Sequence, residues 1–287
     1  MKTQIIFKKV QCAFTAFLFS ACLFSCNDWL KPEPLSFYSP ENTYVTKEGL
    51  EGGLISCRAM IRPEFIGNNS YTCTELMTSD VAVAGNIVAQ TLKNFEIQLK
   101  PGAYGDSQIG TFWSEGYSAI QKANTIISRV QAAEEITENE KNAILAEGYF
   151  HRAYWYYKLV NQFGDVPFIG EEVTTPKLDF YSHTRSSILK RLQQDMLFAV
   201  RHLPENAPHG AVSKAAGNHL LVKICLACCD FDGAVNAATA VIDHSQHKLM
   251  EKRFGNNMAN TQYNIISDLF NRENINSSAN LEGIFLV

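Results

Sequence analysis

The sequence is short of charge, of a basic face and of any apolar run long enough to span a bilayer. Charged residues fill 19% of the 287 positions, against roughly 25% in typical globular chains. The formal net charge is −4, and Lys and Arg are scattered rather than gathered in a stripe. No electrostatic feature therefore points to a nucleic-acid partner. No G-x-S-x-G, P-loop or G-x-G-x-x-G occurs, so the common hydrolase elbow and phosphate cradles are missing. Of eight cysteines, Cys12, Cys22 and Cys26 lie in the first 26 residues, leaving an odd, unevenly placed five. That set argues against a disulfide framework. Cys225-x-x-Cys228 has no second pair at metal-ligand spacing, with His219 the one near partner. Cys225 and Cys229, one helical turn apart, read as small buried hydrophobes. His244 and His247 lack an acid to complete a metal motif. No metal site is expected from these residues. What the chain does have is 46% hydrophobic residues, enough for one or two packed domains.

The first 25 residues carry Lys2, Lys8 and Lys9 and no acid. Val10 to Phe24 is apolar, too short for a transmembrane helix and right for a signal-peptide core. It ends in Leu23-Phe24-Ser25-Cys26, similar to the bacterial lipoprotein box, with Cys26 as the acylated residue. Several acyl chains, at about 0.8 kcal/mol per buried CH₂, anchor a protein where one does not. Removing residues 1–25 takes the net charge from −4 to −7. Residues 26–45, with Pro32 and Pro34 and no period, read as a lipidated tether, and 46–287 as the folded body.

From residue 46 the period is near 3.6. Leu50, Leu54, Cys57 and Ile61 share one helical face behind Thr46 as N-cap. Residues 64–110 have glycines, scattered aromatics and no period, and read as a long irregular segment. A helix opens at Phe112 with Trp113, Tyr117, Ile120 and Asn124 on one side. Thr137-x-x-Glu140 is a capping box for a helix ending at Gly164, with Pro167 beyond it. Further helices cover about 186–203, with Ile188, Leu192, Met196, Ala199 and Leu203 in register, and Ser213 to Cys229. Asp230-Phe231-Asp232-Gly233 reads as a turn before a last helix, Ala234 to Ile242. The last two helices resemble a tetratricopeptide unit, and Trp113 and Glu147 lie one 34-residue repeat apart. The fold class is mainly α, a tetratricopeptide-like helical repeat scaffold with a long irregular loop region.

Ala146-Glu147-Gly148-Tyr149-Phe150-His151-Arg152-Ala153, the aromatic run Tyr154 to Tyr157 and then Gly164-Asp165-Val166-Pro167 resemble the SusD/RagB family. Asp195-Met196 with Leu203-Pro204 resembles the family's next signature. Gly210, Ser213-Lys214, Ala216 and Asp230-Phe231 are similar to the one after, with Ala211 in place of its common Arg. The resemblance implies an outer-membrane lipoprotein facing the cell exterior that binds oligosaccharides. Its partner would be a SusC-like TonB-dependent transporter, and the resemblance implies neither catalysis nor a bound organic cofactor. A helical-repeat protein scaffold, or a transporter lid without its own glycan site, is the alternative. A surface glycosidase or peptidase is a weaker one, because adjacent carboxylates such as Glu171 and Glu172 do not flank a cleft. Against that family 287 residues look like about half a protein, which adds a non-functional truncated fragment to the alternatives. The apolar end Gly283 to Val287 reads as an unpaired strand, so poor solubility is expected.

Sugar binding needs flat rings against pyranose C–H faces and polar groups for the hydroxyls. The irregular segment offers Tyr71, Phe95 and Tyr104. Asp80 enters from the resemblance of Glu75 to Asp80 to a family segment ending in Ser-Asp. Trp113, Tyr117 and the Tyr154–Tyr157 run read as core packing, and Arg152 as a tie between helices.

Overall fold

Local capping chemistry sets most helix boundaries in the computed structural model, which describes residues 43–65, 108–134, 136–208, 210–243 and 246–286. The first helix, α1, is Lys47–Phe65, and the Gly49 N–H donates to Thr46 Oγ1 at 3.2 Å. Helix α2, Gln108–Arg129, runs into a 3₁₀ turn, Val130–Ala132. Helix α3, Glu138–Phe163, has the complete Thr137/Glu140 capping box, two orphan donors satisfied reciprocally. It stops at Gly164, where φ is +74°, a conformation open to glycine and strained for other residues. Helix α4, Arg185–His202, is capped by Thr184, α5, Lys214–Ala227, by Ser213, and α6, Phe231–Ile242, by Asp230. A five-residue helix, α7, is Ile265–Leu269.

Each helix from α2 to α6 packs on the next in sequence, and α1 lies across α2 and α3. This is the stacking of a helical repeat. Gly217 of α5 faces Leu203, and a Cβ there would stand 2.6 Å from Leu203 Cδ1, so a larger residue would make the Leu203 side chain shift. The main core centres on Trp155, Tyr156, Leu159, Leu192, Met196 and Ile224. A smaller cluster joins Leu50, Leu54, Ile126 and Val130 with Tyr44. Each such side chain contributes about 1.5–3 kcal/mol by leaving water. Residues Val166–Pro167 (β1) and Ser182–His183 (β2) form a two-stranded antiparallel ladder between α3 and α4.

Several expectations shift. Tyr44, assigned to the tether, packs on the second core cluster, and the compact unit holding the described residues begins at Thr43. The irregular segment gives up its ends: Glu64 and Phe65 close α1, and residues 108–110 already belong to α2. The Asp230–Gly233 turn is a helix start, because the Asp230 carboxylate accepts the Gly233 N–H at 2.9 Å. The reversal falls instead at Cys229, with φ +59°. Of the cysteine pair, Cys225 is buried and Cys229 exposed. Residues 281–286 form no strand. Phe285 packs edge-on against Phe150, centroids 5.6 Å apart. Among the described residues no helix is long and apolar enough to cross a membrane.

Candidate functional site

The residues first nominated for ligand contact, Tyr71, Asp80, Phe95 and Tyr104, lie outside the described residues, as do Cys26 and His244. The aromatics expected to pack do so. Trp113 meets Tyr117 and Phe163 at 4.9 and 5.0 Å, and Trp155 and Tyr156 are buried. Arg152 is the expected helix tie. It is 1% exposed, and its Nη2 donates to Asp195 Oδ2 of α4 at 2.6 Å.

The same guanidinium reaches further, and in doing so builds a site. Its Nη1 donates to the Gly170 carbonyl at 2.8 Å and to Asn124 Oδ1 at 3.2 Å. Asn124 Nδ2 donates to the Ile169 carbonyl at 2.8 Å. The Tyr156 hydroxyl accepts the Ile169 N–H at 2.6 Å, and the Tyr117 hydroxyl donates to the Pro167 carbonyl at 2.8 Å. Gln121 pairs both amide groups with Val173, 3.2 and 3.4 Å. The Glu172 N–H donates to Ser128 Oγ at 3.1 Å, and Arg129 holds the Glu172 carboxylate at 2.7 Å. Burial raises the Tyr117 and Tyr156 hydroxyls above the usual phenol range, partly offset at Tyr156 by the Ile169 N–H. Both therefore stay protonated.

The product is a loop, 168–181, closed at its base by β1 and β2 and clamped along its first half. Compact loops with adjacent ends are often functional. Its second half stands in water. Tyr181 is 72% exposed and Phe180 42%. Tyr181 lies over His183 with centroids 4.9 Å apart and planes 35° apart. Lys177 Nζ sits 5.5 Å from the Phe180 ring centre. Together with Phe168, Glu171, Thr174, Thr175 and Asp179 these residues line an open cleft of about 300 Å³. Such a lining can stack a ring and hydrogen-bond a polyhydroxylated ligand. Among the described residues no group of three or more His, Cys, Asp or Glu could hold a metal. This cleft was missed in the sequence. Its signal was an aperiodic stretch with two adjacent aromatics between two strongly periodic helices.

Three comparisons bear on this geometry. A SusD-like family, described as starch-binding and associating with the outer membrane, matches residues 54–226, which run from α1 to α5. SusD-like protein P2 of Formosa agariphila is 29% identical over 242 residues, 83% of this chain and 46% of its own length. The chain spans about half the length of the curated relatives it matches. Among solved structures, a SusD superfamily protein of Bacteroides vulgatus superposes with a TM-score of 0.66 at 17% identity, covering 85% of this chain and 50% of the other. A laminarin-binding SusD-like protein gives 0.63 at 22% identity, covering 72% and 47%. These likenesses confirm a mainly α, tetratricopeptide-like fold.

Proposed function

The chain belongs to the SusD-like family, and on that premise we propose that it is a cell-surface lipoprotein that binds oligosaccharides and passes them to a TonB-dependent outer-membrane transporter. The observation that carries the reading is the family match through 54–226, laid over helices that bond to the backbone of a loop with exposed aromatic rings. The relatives support the ligand class: the family is called starch-binding, and one structural neighbour laminarin-binding. The anchor is Cys26, acylated after the signal segment is removed. Glycan contacts come from Tyr71, Phe95 and Tyr104 as stacking rings and Asp80 as a hydroxyl acceptor. Binding proceeds without a chemical step. The carboxylate of Glu172 is paired with Arg129 at 2.7 Å.

Affinity electrophoresis of the full chain in gels containing starch or laminarin tests ligand binding. Retardation by at least one polysaccharide is expected. A folded chain that neither binds a glycan nor co-isolates with a transporter would overturn the reading. Radiolabelled palmitate should enter the wild-type chain and not Cys26→Ala.

One observation favours a protein-binding scaffold as second reading. Helix α6 buries only Ala234 and Ala237, while Phe231, Val235 and Ile242 are exposed. An apolar face of this kind suits a protein partner. Transporter capture without glycan retention would favour it.

A further inference from the structure

We infer that the cleft formed by residues 168–183 is a sugar-binding site and takes one or two pyranose units of a neutral glycan against Tyr181 and Phe180. The inference rests on the glycan-binding reading above and adds a location to it.

Four observations converge. The floor of the cleft is fixed before any ligand arrives, because Arg152, Asn124 and Tyr156 bond directly to the backbone at 169–170. A preformed site avoids the ordering entropy that binding otherwise costs. Two rings stand in solvent on this floor although the main core lies beneath it. Tyr181, supported on His183 and 72% exposed, keeps a flat apolar surface available for C–H contact. Around the rings, Thr174, Thr175 and Asp179 line the cleft without a hydrogen bond to the rest of the described chain. They are available to hydroxyl groups of a ligand. The volume of about 300 Å³ lies at the small end of ligand sites, which suits a short stretch of chain rather than a long one.

Charge selects among sugars. The lining has the carboxylates of Glu171 and Asp179 against the single ammonium of Lys177, with Glu172 already paired to Arg129. Sulfated or uronic-acid chains would meet net negative charge, whereas neutral glucans would not.

The test uses the full chain, laminarin and malto-oligosaccharides, and the variants Tyr181→Ala, Phe180→Ala and Tyr181→Trp. These positions are exposed, so the thermal midpoint should not move. Phe270→Ala, a still more exposed ring elsewhere, is the control. Calorimetry should show binding weakened about tenfold by Tyr181→Ala and by Phe180→Ala, the loss of one stacked ring in each. Phe270→Ala should bind as wild type. In Tyr181→Trp the emission of the new indole should shift or quench on adding sugar. Unchanged affinity in both alanine variants, with a silent indole in Tyr181→Trp, overturns the assignment while glycan binding by the protein stands. No binding by the wild-type chain overturns the glycan reading itself.

Discussion

Arg152→Met is the substitution whose outcome reports most directly on how the loop is held. The side chain is 1% exposed and Asp195 4%, so their 2.6 Å contact is a buried ion pair. Removing one member of such a pair typically costs about 3–5 kcal/mol, because the remaining charge is stranded. Here Asp195 keeps one partner, Arg191 Nε at 3.0 Å, so the loss should sit at the low end, near ~3 kcal/mol. The Gly170 carbonyl and Asn124 Oδ1 also lose a donor. In the double variant Arg152→Met/Asp195→Leu no charge is stranded. Its loss should fall to about 1–2 kcal/mol, the share of the unsatisfied carbonyl and amide. Urea unfolding of the wild type, both single variants and the double variant closes the cycle, with midpoints shifting at constant slope. Hydrogen exchange at residues 169–173 should quicken in every variant lacking Arg152. A loss below about 1 kcal/mol in Arg152→Met, or a double variant that loses as much as the two singles combined, would refute the account of a buried pair.

Three further outcomes follow from local chemistry. Lys47, together with the Thr137 cap, draws the Glu140 carboxyl down to about 2. Because that folded value lies below the unfolded one of about 4.3, its contribution is complete above about pH 4.3 and is lost as pH falls towards 2. Acid unfolding followed by circular dichroism should therefore be shallower over that window in Glu140→Gln. Gly164→Ala should lower stability by about 1–3 kcal/mol in thermal melts, since φ +74° is strained for any side chain. An unchanged midpoint would contradict this. Burial, with a smaller push from Glu147, raises the Cys57 thiol to about 12, while Cys229 is exposed. Iodoacetamide at about pH 8, near the ordinary thiol range, should label Cys229 in the native chain and Cys57 only after denaturation, as read by mass spectrometry. Native labelling of Cys57 would show that α1 opens readily.

Most helix ends were legible because their causes are local. Thr137 with Glu140, Gly164, Ser213 and the Leu203-Pro204 stop each act within a turn or so of chain, and the structure places each where its chemistry requires. The Asp230 to Gly233 stretch misled for the same reason. Asp and Gly favour turns, but an Asp one residue before a helix also caps it, and the choice depends on α6 packing against α5. The role of Arg152 as a tie was legible from the family-like motif that carries it. Its partners were not: Asp195 is 43 residues away and Gly170 offers only its backbone. The 168–183 cleft escaped because it is a property of anchoring. Nothing in Phe180-Tyr181 by itself distinguishes rings held out of the core from rings placed in it.

The distribution of buried polarity argues that the loop conformation is what α2 and α3 are shaped to preserve. Tyr117, Gln121, Asn124, Ser128 and Arg129 of α2 and Arg152 and Tyr156 of α3 all bond to residues between Pro167 and Val173. In helix-to-helix packing alone, apolar side chains of similar volume would serve as well or better, since buried polar groups gain little once desolvation is counted. A surface connector, for its part, normally bonds to water and needs no clamp. Buried polar networks do contribute one thing that apolar contacts do not, which is a single permitted arrangement of the groups they bond. Here that arrangement is the backbone from 167 to 173, and the exposed rings at 180 and 181 are carried by the same loop, whose two ends are fixed by β1 and β2. The polar spine between α2 and α3 therefore fixes the backbone from Pro167 to Val173 as well as tying the helices to one another.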